Sequence, residues 1–249
     1  MRVMNRNLCA LLITSVFFVV VAVALGPAAP NLWANSSGAG AKIPFSDARI
    51  LIELNATDED VGIQVFLDAE GWKKVSIVSP DGRTILEVLS SGKLRKQGLT
   101  ELFFESEEPS LDDVPLSEFL ARFPEGEYQF FGTTNEGDRL VGTATLTHNI
   151  PDGPSIVSPG KNTVVDPKKT VISWDPVTSP PGITIAGYQV IVEGEKSHRV
   201  FSVDLPATAT SVTVPREFLE SGKKYKFEVL AKEVGGNQTI SERTFKTEE

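Results

Sequence analysis

Cysteine is almost absent from this 249-residue sequence, because Cys9 is the only one and it lies in an apolar run near the start. A single cysteine excludes an internal disulfide, so buried apolar side chains must stabilise the fold. Histidine occurs only as His148 and His198, without a His-Glu-x-x-His motif, which argues against a zinc site. Basic residues number 24 against 33 acidic ones, and a net charge of −9 argues against nucleic acid as a partner.

The N-terminal segment has the layout of a secretory signal. Two arginines precede the uncharged apolar run Leu8–Leu25, and a Gly-Pro pair then interrupts it. We predict a signal peptide over residues 1–34 and a flexible linker over residues 35–46. The run of 18 residues is also long enough to remain as a membrane anchor. In both cases the rest of the chain is exported, to the periplasm, the cell surface or the medium.

Alternation of apolar and polar residues dominates the sequence from Ala48 to His148. This two-residue period places one face of each strand in a core. One stretch differs, since the apolar residues of Pro115–Phe123 recur at helical spacing before Pro124. We therefore predict an acidic Ig-like β-sandwich with one short helix over residues 47–150.

A second series of short strands follows a proline- and glycine-containing boundary at Asn149–Pro154. Three runs in this series carry a family resemblance: Thr170–Pro176, Gly187–Val192 and Leu219–Ala231. In order and spacing they resemble a fibronectin type III domain, which covers residues 154–247. The resemblance implies a β-sandwich used as a spacer or binding module, and it implies no chemistry.

The same resemblance implies structural roles for four residues of the second half. Trp174 fills the core, Tyr188 belongs to the run that begins at Gly187, and Tyr225 forms a tyrosine corner after the turn that Leu219 starts.

The first half carries a more limited resemblance. Its segment Phe123-Pro-Glu-Gly-Glu-Tyr128 is similar to the Pro-x-Gly-x-Tyr corner of bacterial Ig-like modules, such as the sandwich domain of flagellar hook-capping proteins. The resemblance implies a structural role for Tyr128. The predicted fold class is all-β, with two β-sandwich domains in tandem (Ig-like, then fibronectin type III-like) after an N-terminal signal segment in an exported bacterial protein.

One acidic loop is a candidate calcium site. Asn55, Asp58 and Asp60 lie between two predicted strands, and Asp68 ends the second strand. These side chains offer the oxygen ligands that calcium prefers, although their spacing is not that of an EF-hand. Asn and Asp are also favoured in turns, so an acidic hairpin turn is the alternative.

Trp72 is a candidate ligand-binding residue. It follows a glycine and precedes a predicted strand, so its ring can lie exposed as a stacking platform for a sugar, or it can pack across the sandwich. Exposure of Phe66 or Phe131 beside it would favour the sugar platform.

Negative charge is concentrated in the first half, with a net charge of −10 over residues 42–150 and −1 over residues 151–249. The acidic stretch Glu105–Asp113 precedes the predicted helix, and we interpret it as complementing the helix dipole. A solvated surface, a basic partner and bound cations are the three explanations that stay open for the remaining charge.

No set of residues demands catalysis. We expect an exported, non-catalytic binding protein of the cell envelope or exterior that recognises a protein partner through loops of rigid sandwiches. A calcium-assisted module that binds polysaccharide is the alternative, and an enzyme with an unrecognised acidic site is the third hypothesis. No cofactor other than calcium is expected.

Overall fold

The computed structural model describes residues 40–195 and 197–249. The predicted signal peptide and the first part of the predicted linker lie outside the described residues. The first half contains β1 (Lys42–Pro44), β2 (Asp47–Asn55), β3 (Asp60–Val78), β4 (Thr84–Leu89), α1 (Gly92–Gln97), β5 (Leu99–Glu105), α2 (Leu116–Arg122), β6 (Gly126–Thr134) and β7 (Arg139–Leu146). The second half contains β8 (Ile156–Ser158), β9 (Thr163–Val165), β10 (Val171–Trp174), β11 (Ile185–Gly194), β12 (Val200–Pro206), β13 (Ser211–Thr213), β14 (Lys224–Glu233) and β15 (Gln238–Thr247).

Strand β3 is shared by both layers of the first sandwich. Up to Asp68 it pairs with β2 and β5, and Trp72 still pairs with Leu99 of β5. From Trp72 onward it pairs with β6 and, beginning at Lys74, with β4. Register shifts between Asp68 and Lys74 mark the bend, as expected of β-bulges. The sequence places a glycine before Trp72 and a separate predicted strand after it, whereas β3 runs through both residues and bends without leaving the sheet.

The N-terminal edge of the first sandwich begins earlier than predicted. Strand β1 pairs in parallel with β7, and Phe45 is buried against Phe130 with ring centroids 6.2 Å apart. Gly142 leaves room for this ring, because a Cβ there would lie 3.0 Å from the Phe45 Cδ2 atom. Residues 42–46 therefore belong to the fold, and the predicted linker over residues 35–46 is wrong for that part.

The second half is also a two-layer sandwich. Its smaller sheet has the order β13-β10-β8, and its larger sheet has the order β15-β14-β11-β12. Trp174 from the smaller sheet packs against Tyr188 from the larger one, with ring centroids 5.3 Å apart. The buried residues of this half form one hydrophobic cluster, and those of the first half form another.

The predicted fold class is confirmed, since the described residues form two β-sandwich regions in tandem. The predicted helix is present as α2, with Phe119 buried in the first core. Helix α1 has no buried residue, and hydrophobic periodicity therefore gave no indication of it.

Candidate functional site

The two sandwiches are joined by backbone pairing between their larger sheets. Strand β15 pairs in parallel with β2, with Gln238 opposite Glu53 and Ile240 opposite Asn55. The larger sheet of the second half therefore continues into β2, β3 and β5 of the first half. This continuity fixes which side chains of the two halves share one face.

Asn237 completes the junction from the turn that precedes β15, where it is 1% exposed. Its Oδ1 accepts a hydrogen bond from the Ile52 N–H at 2.9 Å. Its Nδ2 donates to the carbonyl oxygens of Thr147 at 2.8 Å and Asn149 at 3.1 Å. One buried amide thus forms hydrogen bonds with backbone groups from two segments of the other sandwich. These bonds supply the partners that buried polar groups require.

A cluster of three glutamates lies beside this junction, and we call it the acidic cluster: Glu53, Glu105 and Glu108. One carboxylate oxygen from each of the three lies within 4.8 Å of one oxygen from each of the others. Glu53 pairs with Gly62 across β2 and β3, and a Cβ on Gly62 would lie 2.8 Å from the Glu108 Cγ. The missing side chain at Gly62 therefore lets Glu108 reach over the sheet toward Glu53.

Burial and like charge govern protonation in the acidic cluster. Glu53 is only 6% exposed, and burial together with the negative charge of Glu105 raises its pKa to about 8. Burial, followed by the charge of Glu105, raises the pKa of Glu108 to about 7. Burial, followed by the charge of Asp58, raises the pKa of Asp60 on the neighbouring strand to about 6.

Two groups from the second sandwich offset the acidic cluster. Gln238 donates from Nε2 to the Glu53 carboxylate, and that nitrogen also lies 3.3 Å from the Gln64 Oε1. Lys226 on β14 forms ion pairs with Glu228 at 2.9 Å and Glu242 at 2.5 Å. Burial lowers the pKa of Lys226, but the two carboxylates raise it by more than burial lowers it, so the lysine stays charged.

The three carboxylates of the acidic cluster are close enough to one another to hold one cation. Glu53 already accepts a hydrogen bond from Gln238, and Glu105 accepts one from Gln64 at 2.9 Å. The raised pKa of Glu53 favours its protonated form near neutral pH, which removes one of the three negative charges from the cluster.

An aromatic row lies on the same side of the sheet, farther from the junction. We call the exposed side of β2, β3 and β5 the outer face. Arg49 stacks over Phe66 at 4.5 Å, and Phe66 stands opposite Phe103, which is 43% exposed. The next row holds Asp68 opposite Asp47 on one side and Glu101 on the other. The outer face thus combines exposed aromatic surface with carboxylates.

The structure does not bring the four proposed calcium ligands together. The Asn55 Oδ1 accepts hydrogen bonds from Thr57 N at 2.9 Å and Asp58 N at 3.1 Å, which is the geometry of an Asx turn. Asp58 is exposed in that turn, whereas Asp60 begins β3. Asp68 lies eight residues along the same strand, roughly 26 Å away at about 3.3 Å per residue. Asp68 therefore cannot share a cation with Asp60, and the turn interpretation fits the loop.

The proposed sugar platform at Trp72 is wrong. The Trp72 side chain is 0% exposed within the first hydrophobic core, because the bend of β3 turns it inward. Phe66 lies on the outer face beneath Arg49, and Phe131 lies on β6 beside a shallow pocket. These three aromatic side chains do not form one patch.

Three of the predicted structural residues form hydrogen bonds at the corners of the sandwiches. The Tyr225 hydroxyl accepts a bond from Glu220 N at 2.7 Å, and the Tyr188 hydroxyl accepts one from Val177 N at 2.8 Å. The Tyr128 hydroxyl donates to the Pro124 carbonyl at 3.1 Å. Trp174 and Leu219 are buried in the second core. Each side chain fixes a turn or a layer, as a structural role requires.

Sequence reasoning missed the acidic cluster. Glu105 and Glu108 were assigned to a stretch that supports a helix, and the alternation of β2 places Glu53 on the side away from the core. The available indication was Gly62, because a glycine within a strand marks close approach by another group. The pairing that buries Glu53 joins residues 185 positions apart, which local patterns do not reveal.

Residues 158–247 match the family model of the fibronectin type III domain. This match confirms the resemblance noted for the second half of the sequence. No curated protein matches the chain. Domains of the fibronectin type III and Ig-like kinds are typically non-catalytic.

Several solved structures resemble the chain. The FN1–FN3 domains of chicken CNTN1 share 14% identity at a TM-score of 0.31, covering 85% of this chain and 66% of that chain. A segment of two fibronectin type III domains from chicken tenascin shares 13% identity at a TM-score of 0.29, covering 81% and 98%. A structure described as a myokine shares 20% identity at a TM-score of 0.31, covering 40% and 97%. Nothing in these comparisons indicates a bacterial origin.

Fold and family match together define the class: an all-β protein of two sandwich regions, the second of which contains a fibronectin type III domain. No helix within residues 40–195 and 197–249 has the length and hydrophobicity of a membrane span.

Proposed function

We propose that this chain is a non-catalytic interaction protein of the cell envelope or exterior, in which two coupled sandwiches hold a recognition surface for a protein partner. The observation that carries the proposal is the junction, where β2 pairs with β15 and Asn237 binds two segments of the first sandwich. A rigid scaffold reduces the conformational entropy that a partner must overcome on binding.

The outer face supports a protein partner over a polysaccharide. Trp72, which was the candidate for stacking on a sugar, is buried, whereas Phe103 is exposed among carboxylates. Exposed aromatic side chains surrounded by polar groups are typical of protein interfaces. Export is supported by the apolar N-terminal segment of the sequence.

The test is co-sedimentation of the tagged protein, produced from its full coding sequence, with cell-envelope material of its source. The material is used untreated and after protease digestion, and insoluble polysaccharides are used in parallel, each with calcium and with chelator. Retention that protease digestion abolishes supports the proposal. Retention on polysaccharide that chelator abolishes would support the calcium-assisted module instead, and no retention anywhere would contradict a binding role at the envelope.

Fractionation of the producing cells tests export separately. We expect the protein outside the cytoplasm, and N-terminal sequencing then distinguishes a cleaved signal from a retained anchor. An intact chain found only in the cytoplasm would contradict export.

A further inference from the structure

We infer that the free edge of β5 and the adjoining outer face bind an extended, basic segment of a partner protein as an added strand. This inference rests on the proposed function, since it names the chemistry of the partner that the scaffold would recognise. β-Strand addition takes its affinity from backbone hydrogen bonds and its specificity from alternate side chains.

The backbone of β5 is open along one edge. Within the described residues β5 pairs only with β3, and no hydrogen bond occupies its other edge. Ser106 N donates to the Ile63 carbonyl at 2.9 Å, so alternate residues counted back from Ser106 turn their backbone groups toward β3. The intervening residues Glu101, Phe103 and Glu105 therefore turn their N–H and C=O groups to the free edge.

The same three residues project their side chains onto the outer face. Phe103 stands opposite Phe66, and the Arg49 guanidinium covers the far side of the Phe66 ring at 4.5 Å. An added strand would place one side chain beside Phe103 and its neighbours two residues away beside Glu101 and Glu105. An apolar residue at the centre therefore fits the exposed ring.

Charge determines what flanks that apolar residue. Asp68 and Asp47 lie in the same row as Glu101. Arg49 forms an ion pair with Asp47 at 3.0 Å, so its positive charge is already paired. Lysine or arginine at the flanking positions complements these carboxylates, and charge complementarity sets both specificity and association rate. A second copy of β5 would instead place glutamate beside glutamate, which disfavours self-pairing.

The probe is a synthetic peptide with the pattern Lys-Thr-Val-Thr-Lys flanked by threonine, labelled for fluorescence anisotropy and titrated into the full protein. We expect saturable binding that weakens as salt is raised, together with NMR shifts of the Glu101, Phe103 and Glu105 amides. A peptide with glutamate in place of lysine tests charge, and one methylated on alternate backbone nitrogens tests strand addition. Binding that survives either change, or no binding at low salt, would overturn the inference.

Two variants locate the site on the protein. Glu101→Lys and Phe103→Ala should each weaken peptide binding about tenfold, because each removes one contact worth about 1.4 kcal/mol. The matched control is Glu127→Lys, which reverses an exposed glutamate on β6 in the other layer of the first sandwich and should leave binding unchanged. A loss in Glu127→Lys equal to that in Glu101→Lys would indicate general charge attraction and contradict the edge site, and unchanged binding in Phe103→Ala would also contradict it.

Failure of this inference is distinguishable from failure of the proposed function. If the Glu101→Lys and Phe103→Ala variants still sediment with untreated envelope but not with digested envelope, the proposed function stands and the β5 site is wrong. If the unaltered protein sediments with neither, both fail.

Discussion

The two sandwiches differ in how they use charge. The second is almost neutral, with a net charge of −1 over residues 151–249, and it contains a buried tryptophan and a tyrosine corner. The first carries a net charge of −10 over residues 42–150. Some of its acidic residues form the acidic cluster at the junction, where Glu53 is buried, and others are exposed on the outer face. Acidic composition alone therefore does not distinguish a structural carboxylate from a surface one.

The largest effect that we expect comes from replacing the tryptophan in each core. Trp72→Ala and Trp174→Ala each remove a side chain that is at most 2% exposed. Each should lower the free energy of unfolding by about 3–5 kcal/mol, through lost burial and the cavity left behind. Denaturant titration measures the change, and Ile85→Ala, at an exposed position of β4, serves as the control. A Trp72→Ala effect no larger than that of the control would contradict the burial of Trp72.

Asn237→Ala removes the amide that joins the two sandwiches. It leaves the Ile52 N–H and two carbonyl groups without their partner, so we expect a loss of about 3 kcal/mol. Unfolding should then separate into two transitions, because the coupling between the sandwiches is weakened. Asn149→Ala is the control, since that side chain is exposed. A single transition of unchanged midpoint in Asn237→Ala would contradict the account of the junction.

The pKa of Glu53 predicts an unusual dependence of stability on pH. The folded protein holds this proton up to about pH 8, whereas the ordinary value is 4.5. The contribution of this proton to the free energy of unfolding is therefore complete below about pH 4.5 and is lost as the pH rises through 8. Between pH 5 and pH 8, Glu53→Gln should therefore gain about 2–3 kcal/mol in free energy of unfolding relative to the unaltered protein. This figure is smaller than the full pKa shift would give at about 1.4 kcal/mol per pH unit.

The measurement is denaturant unfolding at several pH values. Glu101→Gln, at an exposed position of the same sheet, should show no such divergence from the unaltered protein. Parallel pH profiles for Glu53→Gln and the unaltered protein would contradict a proton held at Glu53.

The smallest effect that we expect comes from removing the hydroxyl group at each of the two tyrosine corners. Tyr225→Phe and Tyr128→Phe each remove one hydroxyl that bonds to nearby backbone, at 2.7 Å and 3.1 Å respectively. We expect each to cost about 1 kcal/mol, with the larger loss for Tyr225, whose removal leaves a backbone N–H without its partner. Thermal unfolding monitored by circular dichroism measures both, and no change in either variant would contradict a structural role for the corners.

Local patterns predicted the second sandwich because its evidence lies in short runs of sequence. The residues around Trp174 and Tyr225 belong to single strands and turns, and the family match over residues 158–247 confirms the kind of domain in which they lie. The bend of β3 was missed because Gly71 resembles a turn residue, and only the paired strands show that the chain stays in the sheet.

The junction could not be predicted from the same patterns. In β2, alternation assigns Glu53 to the side away from the core, where a glutamate is ordinarily solvated. Its burial depends on β15, which lies 185 residues along the chain, and on Glu108 crossing above Gly62. The outer face, by contrast, follows from alternation in β3 and β5 once their register is known.

The most direct test of the central claim, that the two sandwiches form one coupled unit, uses the tryptophan in each core as a probe. Two variants retain only Trp72 or only Trp174, with the other tryptophans, including Trp33, replaced by phenylalanine. Their fluorescence is followed through denaturant at pH 6, where Glu53 is protonated. The account predicts coincident transitions that separate when Asn237→Ala is added. Separate transitions without that substitution would contradict the claim.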